Sequence, residues 1–288
     1  MIDYRIRTFL ELYETMNYRR TGEKMRLSQP AVSQQIHFLE REYGCKLFYY
    51  DGKHLYRTPE AERLAEYARA AVYNDQQLRK ELTAPLRHEI RLGATKTIGE
   101  YIIVQPLVQY VQQHEDSLTV VVDNTEVLLH KLEHEELDFA LVEGTFDKNK
   151  YGYRLYERCS FVGMCCRSHP FAGKTVSLDD LKGQTAILRE KGSGTRAILE
   201  STLGDYGYGV DIFSRVICSS NFALILQFVQ QNCGITFAYA PIAQGHEDIA
   251  FFHLDCLNEQ HEFNIVYLKG ALVFPYIQAI FGGKPLEA

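Results

Sequence analysis

The chain has 288 residues, of which 46% are hydrophobic and 24% charged, so wholesale disorder is excluded and about two domains are expected. It holds no stretch of the roughly 18 uninterrupted apolar residues that a membrane span needs. The charged start at Asp3, Arg5 and Arg7 is unlike a secretory signal, and we therefore expect a cytoplasmic protein with no membrane partner.

The formal net charge of −6 is unevenly distributed along the chain. Residues 1–58 carry ten Lys and Arg against seven Asp and Glu, a balance of +3, which leaves −9 for the rest. A basic head on an acidic body indicates that only the head contacts phosphate.

The head predicts three helices. Apolar residues spaced i, i+3, i+4 and i+7 between Ile2 and Tyr13 form one face of an amphipathic helix. A second helix runs from Tyr18 to Met25, and a third begins after Ser28, an N-cap, with Pro30 in its first turn. The buried face of the third helix is predicted to consist of Val32, Ile36, Leu39 and Tyr43.

The opposite face of the third helix is short-chained and polar, with Gln29, Ser33, Gln34 and His37. Such groups both donate and accept hydrogen bonds, as a helix in the DNA major groove requires. Basic residues that could contact phosphate lie nearby at Arg19, Arg20, Lys24 and Arg26. The alternative is the solvated polar face of any small helical bundle.

Two runs, 46–50 and 53–57, flank Asp51-Gly52, which is a strong signal for a hairpin with a two-residue turn. Three helices followed by a hairpin with basic tips predict a winged helix-turn-helix domain over residues 1–58.

A longer pattern in this head resembles a known family. It reads Phe9-x8-Tyr18-x-Arg20-x2-Glu23-x3-Leu27-Ser28-Gln29-Pro30-Ala31-Val32-Ser33-Gln34-Gln35-Ile36-x2-Leu39-Glu40-x3-Gly44-x2-Leu47-Phe48. The pattern is similar to the N-terminal domain of LysR-type transcriptional regulators. On this interpretation the base contacts come from Gln29, Pro30, Ser33 and Gln34, and the phosphate contacts from Arg20, Ser28, Lys53 and Arg57.

The chain departs from the family's pattern at two places. Thr21-Gly22 stands where the family usually has two alanines, and glycine is expected to loosen the helix by about 1 kcal/mol. Tyr50 stands where the family usually has arginine, so one phosphate contact at the wing is absent or is replaced by Lys53 or His54.

A long helix is predicted after the head. Thr58-Pro59-Glu60 is a typical helix start, and an apolar stripe interrupted by Asp75 continues until Thr83-Ala84-Pro85. At 1.5 Å per residue, residues 59–82 span roughly 36 Å. A narrow apolar seam of that length favours a partner helix, and the alternative is packing on the chain's own body. The resemblance implies a linker helix and hinge (59–87) that pair two subunits, and two-fold symmetry predicts a palindromic operator.

From residue 88 strands and helices alternate, which predicts an α/β domain with a largely parallel sheet covered on both faces. The expected strands are Ile90–Ala94, Leu118–Val122, Phe139–Val142, Phe161–Cys166, Thr185–Leu188, Arg215–Cys218, Ile235–Tyr239 and Asn264–Leu268. The intervening helices are expected to begin near Ile98, Thr125, Thr195 and Ser220.

This region resembles the effector-binding domain of the same family, a two-lobed fold like that of periplasmic binding proteins. The matching stretches are 92–95, 137–142, 169–170 and 188–196, and the resemblance covers residues 1 to about 270. It implies an effector-binding domain over 88–288, with lobe I at about 88–163 and 267–288 and lobe II at about 164–266. The chain would cross between the lobes near residues 163 and 266.

Ligands in open α/β sheets bind beyond the carboxyl ends of strands, where helix N-termini favour anions. Four such places carry short polar residues, and one of them, Gly192-Ser193-Gly194-Thr195-Arg196, adds glycines and a guanidinium. We expect a small anionic metabolite there. The alternative is that each place is an ordinary helix cap. The predicted effector-binding residues are Thr95, Lys96, Thr97, Asn124, Thr125, Ser193, Thr195, Arg196 and Ser219.

Other chemistry finds little support. The seven cysteines lack C-x-x-C spacing, and no cysteine stands near Thr195, where the family's peroxide sensors carry one. His130 and His134 lie on an acidic helix that looks solvated, and the motifs of nucleophilic, nucleotide-binding and zinc enzymes are missing. We therefore expect no enzyme, no metal and no cofactor.

The function expected from the sequence is a ligand-responsive transcription factor that binds double-stranded operator DNA as a homodimer or homotetramer, with RNA polymerase as a further partner. Two alternatives are an α/β enzyme and a solute-binding protein, each with an N-terminal interaction module.

Overall fold

The computed structural model describes residues 2–83, 89–257 and 260–282, and within them ten α-helices and twelve β-strands. The helices are α1 (Tyr4–Thr15), α2 (Tyr18–Met25), α3 (Gln29–Tyr43), α4 (Pro59–Thr83), α5 (Val104–Gln113), α6 (Thr125–Glu133), α7 (Leu178–Leu181), α8 (Gly194–Asp205), α9 (Phe222–Gln230) and α10 (Phe274–Phe281). The strands are β1 (Phe48–Tyr50), β2 (Leu55–Arg57), β3 (Glu89–Ala94), β4 (Ser117–Val122), β5 (Phe139–Glu143), β6 (Tyr151–Cys166), β7 (Thr175–Val176), β8 (Thr185–Leu188), β9 (Arg215–Cys218), β10 (Thr236–Tyr239), β11 (Ile249–Leu254) and β12 (Gln260–Leu268).

The head folds as the three predicted helices and a hairpin around one apolar core. Ser28 caps α3 by accepting a hydrogen bond from the Ala31 N–H at 3.3 Å, as expected from the sequence. The first helix begins at Tyr4, because Asp3 acts as its N-cap, and not at Ile2. The predicted burial of Tyr43 is wrong, since this side chain is 50% exposed in the last turn before Gly44.

Gly22 allows close packing in the head, although glycine has a low helix propensity. A Cβ atom built on Gly22 would lie 2.6 Å from the Leu27 carbonyl oxygen, and the Leu27 N–H donates to the Gly22 carbonyl at 2.8 Å. Glycine therefore lets α2 approach the backbone of the following turn, which a larger residue would obstruct.

The hairpin is present, but its predicted two-residue turn is wrong. Tyr50 pairs with Leu55, so four residues connect the strands. The Asp51 carboxylate accepts hydrogen bonds from the N–H groups of Lys53 and His54, at 3.2 and 3.0 Å, and these bonds hold the longer loop.

The linker helix α4 packs on both parts of its own chain. Its first half buries Ala61, Ala65, Ala68 and Val72 in the core of the head. In its second half Tyr73 is 1% exposed within the core of the body, and its hydroxyl donates to Asp138 at 3.0 Å. The alternative of packing on the chain's own body thus applies to α4 around Tyr73, and the earlier turns pack on the head. Its predicted end at Pro85 and the hinge up to residue 87 lie outside the described residues.

The apolar stripe does not stay buried to the end of α4. Tyr67, Leu78 and Leu82 are 69%, 53% and 76% exposed, respectively. These side chains are the part of the helix that a partner helix could cover.

The sheet of the body is mixed, so the expectation of a largely parallel sheet is wrong at its centre. β3 pairs in parallel with β4 and β5, and β8 pairs in parallel with β9. The 16-residue β6 is antiparallel to β12 over its first part and to β10 and β11 over its last part. The strand order is β4-β3-β5-β12-β6-β11-β7, with β10 also on β6.

The sequence pattern predicted only the apolar end of β6, because its first ten residues include the charged side chains Arg154, Glu157 and Arg158. The strands β7 and β11 were also missed.

β6 provides the first crossing between the lobes where its partner changes, between Ser160 and Phe161, close to the predicted position. The second crossing differs from the prediction. β12 pairs with β5 of lobe I over Phe263–Val266, so the chain has already returned to lobe I before residue 263 and not near 266. Lobe II therefore ends earlier than expected.

Candidate DNA-binding face and interlobe cleft

The polar face of α3 lies at the surface of the head. Gln29, Pro30 and Gln34 are exposed and Ser33 is partly exposed, whereas Val32 and Ile36 on the opposite side of the helix are 0% exposed. The helix thus separates an apolar face, which anchors it, from a polar face that is free to meet another molecule.

Glu40 fixes the hairpin to the end of α3. Its carboxylate accepts hydrogen bonds from the Leu47 N–H at 3.0 Å and from Lys46 Nζ at 2.8 Å. Burial by itself would raise the pKa of Glu40, but the hydrogen bonds from Lys46, Leu47 and His37 hold the pKa below its ordinary value. A charged anchor of this kind keeps the wing at a set position beside the polar face.

The four predicted phosphate contacts have different surroundings. Arg20 and Lys53 have exposed side chains, and the Ser28 hydroxyl serves as the N-cap of α3. Arg57 is engaged within the head: its Nε and Nη2 donate to the Tyr13 carbonyl at 3.1 and 2.5 Å, and its guanidinium lies 3.9 Å from the centre of the Tyr13 ring. Arg57 therefore has a structural role that the sequence did not indicate.

On the lobe I side of the body, the predicted threonines gather at the carboxyl ends of β3 and β5. Thr95 and Thr97 are 4% and 0% exposed, and the Thr125 hydroxyl donates to the Glu143 carbonyl at 3.2 Å. The structure adds Glu143 itself, the last residue of β5, which sequence reasoning missed although it directly follows a predicted strand. Its side chain is buried with Oε2 lacking a hydrogen-bond partner among the described residues.

On the lobe II side, α8 begins at Gly194 with Ser193 as its N-cap, which accepts from the Arg196 N–H at 3.3 Å. A Cβ atom on Gly194 would lie 3.3 Å from Glu143 Oε1, so the start of α8 meets the end of β5. We call this meeting point of Glu143, Gly194 and Thr195 the interlobe cleft. The helix-cap alternative is correct for Ser193 and also for Asn124, which accepts from the Val127 N–H at 2.9 Å.

The cations predicted to bind an anion already have protein partners. Lys96 donates across the lobes to the Ser220 carbonyl. Arg196 donates to Glu200 at 2.7 Å and to the Arg189 carbonyl at 3.1 Å. Ser219, the remaining predicted residue, accepts a hydrogen bond from the Asn221 N–H at 3.1 Å.

Arg189 is a third cation at the cleft, and the sequence prediction did not include it. It is buried, donates to both carboxylate oxygens of Glu190 at 2.8 Å, and lies 4.4 Å from the centre of the Phe222 ring. Burial raises the pKa of Glu143 to about 7, although the charge of Arg189 and the hydroxyl of Thr97 lower it in part. The cleft thus contains a carboxyl group that titrates near neutral pH.

The cysteines and the pair His130 and His134 were the residues considered for redox and metal chemistry. All seven cysteines are free thiols, and burial raises the pKa of Cys159 to about 12. The rings of His130 and His134 stack with their centres 4.0 Å apart on an exposed face. Within the described ranges, no group of three or more potential ligands could hold a metal ion, and no helix is long and apolar enough to cross a membrane.

Comparisons with known proteins match both parts of the chain. Residues 4–62 match the family model "Bacterial regulatory helix-turn-helix protein, lysR family", and residues 83–281 match "LysR substrate binding domain". The HTH-type transcriptional regulator CysL of Bacillus subtilis is 31% identical over 207 residues, which cover 70% of this chain and 69% of that protein.

Two solved structures share the fold. A full-length OxyR variant from Pseudomonas aeruginosa matches 98% of this chain and 94% of its own, with 19% identity and a TM-score of 0.61. The regulatory domain of CcmR from Synechocystis PCC6803, solved in complex with 2-PG, matches 69% of this chain and 100% of its own, with 19% identity and a TM-score of 0.58.

Proposed function

Because the chain belongs to the LysR family of transcriptional regulators, with a DNA-binding head and an effector-binding domain, we propose that the polar face of α3 reads operator DNA. The observation that carries this proposal is the exposure of Gln29 and Gln34 on a helix whose other face is anchored in the core of the head. Exposed amides can pair with base edges in the major groove, where each base pair presents a distinct pattern of donors and acceptors.

In this arrangement Gln29, Pro30, Ser33 and Gln34 contact bases. Arg20, Ser28 and Lys53 contact phosphates, and Arg57 adds to them only through the part of its guanidinium that Tyr13 leaves free. Phosphate contacts position the helix, and base contacts select the sequence.

Selection of binding sites from random duplex DNA by the full-length protein tests this assignment. We expect Gln34→Ala to relax the preference at one position of each half-site, at a cost of about 1–3 kcal/mol in discrimination. Arg20→Ala should weaken binding to all sequences alike and reduce the slope of log affinity against log salt by about 1. The controls are Gln231→Ala and Arg167→Ala, which replace exposed side chains of the body. Unchanged sequence preference in Gln34→Ala together with an unchanged salt slope in Arg20→Ala would exclude the α3 face as the reader.

We further propose that the protein acts as a homodimer or homotetramer through the exposed part of α4, so that two heads meet a palindromic operator. Tyr67, Leu78 and Leu82 support this proposal, since large apolar side chains on one helix are a typical interaction surface. RNA polymerase is the partner expected of a regulator bound at a promoter.

The effector is proposed to be a small molecule with an anionic group that binds in the interlobe cleft. The first turn of α8 supports this, because N–H groups at a helix start remain outside the helix's own hydrogen bonds and favour negative charge. The predicted set for this site is Thr95, Lys96, Thr97, Asn124, Thr125, Ser193, Thr195, Arg196 and Ser219. We add Glu143 to this set, because it is buried beside Gly194. The complex of the CcmR regulatory domain with 2-PG is consistent with a small-molecule site in this fold.

A further inference from the structure

The charges around the interlobe cleft do not suit a purely anionic ligand. Three cations border it, and each has a partner: Lys96 with the Ser220 carbonyl, Arg189 with Glu190, and Arg196 with Glu200. An incoming anion would have to compete with these partners. Glu143, in contrast, is a carboxyl group that belongs to no ion pair within the described part of the chain.

Glu143 is buried where the lobes meet, with 7% of the residue exposed, and Oε1 lies against Gly194 of lobe II. Its other oxygen has no hydrogen-bond partner among the described residues, and neither has the buried Tyr239 hydroxyl. A buried polar atom without a partner costs about 1–3 kcal/mol. A ligand that donates a hydrogen bond to Glu143 Oε2 would therefore stabilise this part of the protein.

Within the described residues, four groups interact with Glu143 from neighbouring elements. They are Arg189 after β8, Thr97 after β3, Tyr239 on β10 and Cys159 on β6. Burial raises the pKa of both Tyr239 and Cys159, so these two groups are neutral at physiological pH. Arg189 is the one cation among these four groups, and it already binds Glu190.

The start of α8 favours an anionic group, and the Glu143 carboxylate beside it repels one. When Glu143 is ionised, a ligand that carries a positively charged donor close to its acidic group satisfies both. An α-amino acid has this form, since its ammonium and carboxylate groups stand on adjacent atoms.

We propose that Glu143 makes the interlobe cleft a site for an α-amino acid or a close derivative, with the ammonium group on Glu143 and the carboxylate at the start of α8. This inference rests on the proposed effector site and specifies its ligand class. Glu143 is then a specificity-determining residue, because its carboxylate distinguishes an amino acid from the corresponding acid that lacks the amino group.

The test uses the full-length protein and matched pairs of probes: the protein L-amino acids, each at about 10 mM, and the same acids without the amino group, such as aspartate with succinate and alanine with propionate. Thermal shift identifies binders, and calorimetry measures their dissociation constants between pH 6 and pH 8. We expect at least one amino acid to bind while its deaminated partner binds at least tenfold more weakly. Its affinity should rise about tenfold from pH 6 to pH 8, since Glu143 loses its proton over this range.

Glu143→Gln should weaken the amino acid at least tenfold and remove the pH dependence, while the deaminated acid binds equally or better. Glu247→Gln, an exposed carboxylate of lobe II, is the matched control and should behave as the wild type. The pH profile of the wild-type protein tests the proposal even if the variant folds poorly.

Equal binding of the deaminated acids, affinity that falls with rising pH, or no binding by any amino acid would overturn the proposal. DNA-site selection with the same preparations is read separately. Intact sequence-specific DNA binding in the absence of amino-acid binding would remove this ligand class and leave the proposed regulator function standing.

Discussion

The polar face of α3, which we propose to bind DNA, and the interlobe cleft are both polar surfaces, but they are built in opposite ways. On α3, Gln29 and Gln34 are exposed and come from one helix. In the cleft, Thr95, Glu143 and Thr195 are buried and come from separate segments of the chain. Exposed polar groups form hydrogen bonds with water when no ligand is bound, so they cost little free energy. Buried polar groups without a hydrogen-bond partner lower the stability of the protein. The polar face of α3 is therefore solvated without DNA, whereas the buried groups of the cleft depend on partners within the protein or on a ligand.

Arg69 of α4 connects the two parts of the chain that carry these surfaces, the head and lobe I, and its removal should give the largest effect on stability. Arg69 is 5% exposed, and its Nη2 lies 2.5 Å from a Glu14 oxygen of the head and 3.6 Å from a Glu133 oxygen of lobe I. We expect Arg69→Met to lower the free energy of unfolding by about 3–5 kcal/mol, because two carboxylates lose a buried cation. Calorimetry should also separate one melting transition into two, one for each region.

The control for this variant is Arg79→Met, which removes an exposed ion pair with Asp75 on the same helix. It should change stability by less than about 1 kcal/mol. A single transition at an unchanged temperature in Arg69→Met would show that the two regions are not joined through this residue.

The buried carboxyl group of Glu143 should make the stability of the protein depend on pH. The pKa of Glu143 is raised to about 7 in the folded protein, above its ordinary value of 4.5, because of burial. The folded state therefore binds the proton more tightly than the unfolded state, and stability falls as the pH rises from about 4.5 through 7. Without ligand, the free energy of unfolding of Glu143→Gln, measured with urea, should rise by about 3 kcal/mol relative to that of the wild type between pH 4.5 and pH 8.

Glu247→Gln again provides the comparison, since an exposed carboxylate should show no such gain. Parallel pH profiles for the wild type and Glu143→Gln would mean that Glu143 is solvated in solution, and the contrast between the two polar surfaces would then fail.

The sequence allowed the head to be predicted better than the cleft, for a physical reason. Ser28, Pro30 and the polar face of α3 lie within one continuous segment, so local spacing contains most of the information. The cleft depends on where β5 and α8 meet, and this meeting follows from the antiparallel pairing of β6 with β12, which has no local signal. The carboxyl ends of the other predicted strands were located correctly, and that of β5 was predicted one residue early, at Val142.

The role of each strand-end side chain was harder to predict. From the sequence, the Arg196 guanidinium was expected to bind an anion. In the structure it donates hydrogen bonds to Glu200 and to the Arg189 carbonyl instead. Glu143 ended an apolar run and gave no sign that its carboxyl group would be buried. The charge of Arg196 in the sequence therefore indicated an anion site. The burial of Glu143 and the pairing of Arg196 in the structure favour a ligand that also donates a hydrogen bond.

The smallest expected effect is at Arg57, where paired and exposed charged side chains can be compared within the head. Its guanidinium is held by the Tyr13 carbonyl and ring, so it resembles the paired cations of the cleft more than the exposed Arg20. Arg57→Lys keeps the charge but loses the two-pronged hydrogen bond, and we expect a loss of about 1–2 kcal/mol in the stability of the head. The slope of log affinity for DNA against log salt should remain that of the wild type in Arg57→Lys, since lysine keeps the positive charge. Arg57→Met tests the proposed phosphate contact itself: a slope lowered by about 1, as expected for Arg20→Ala, means that Arg57 contacts phosphate while it holds Tyr13, and an unchanged slope means that its role is structural alone.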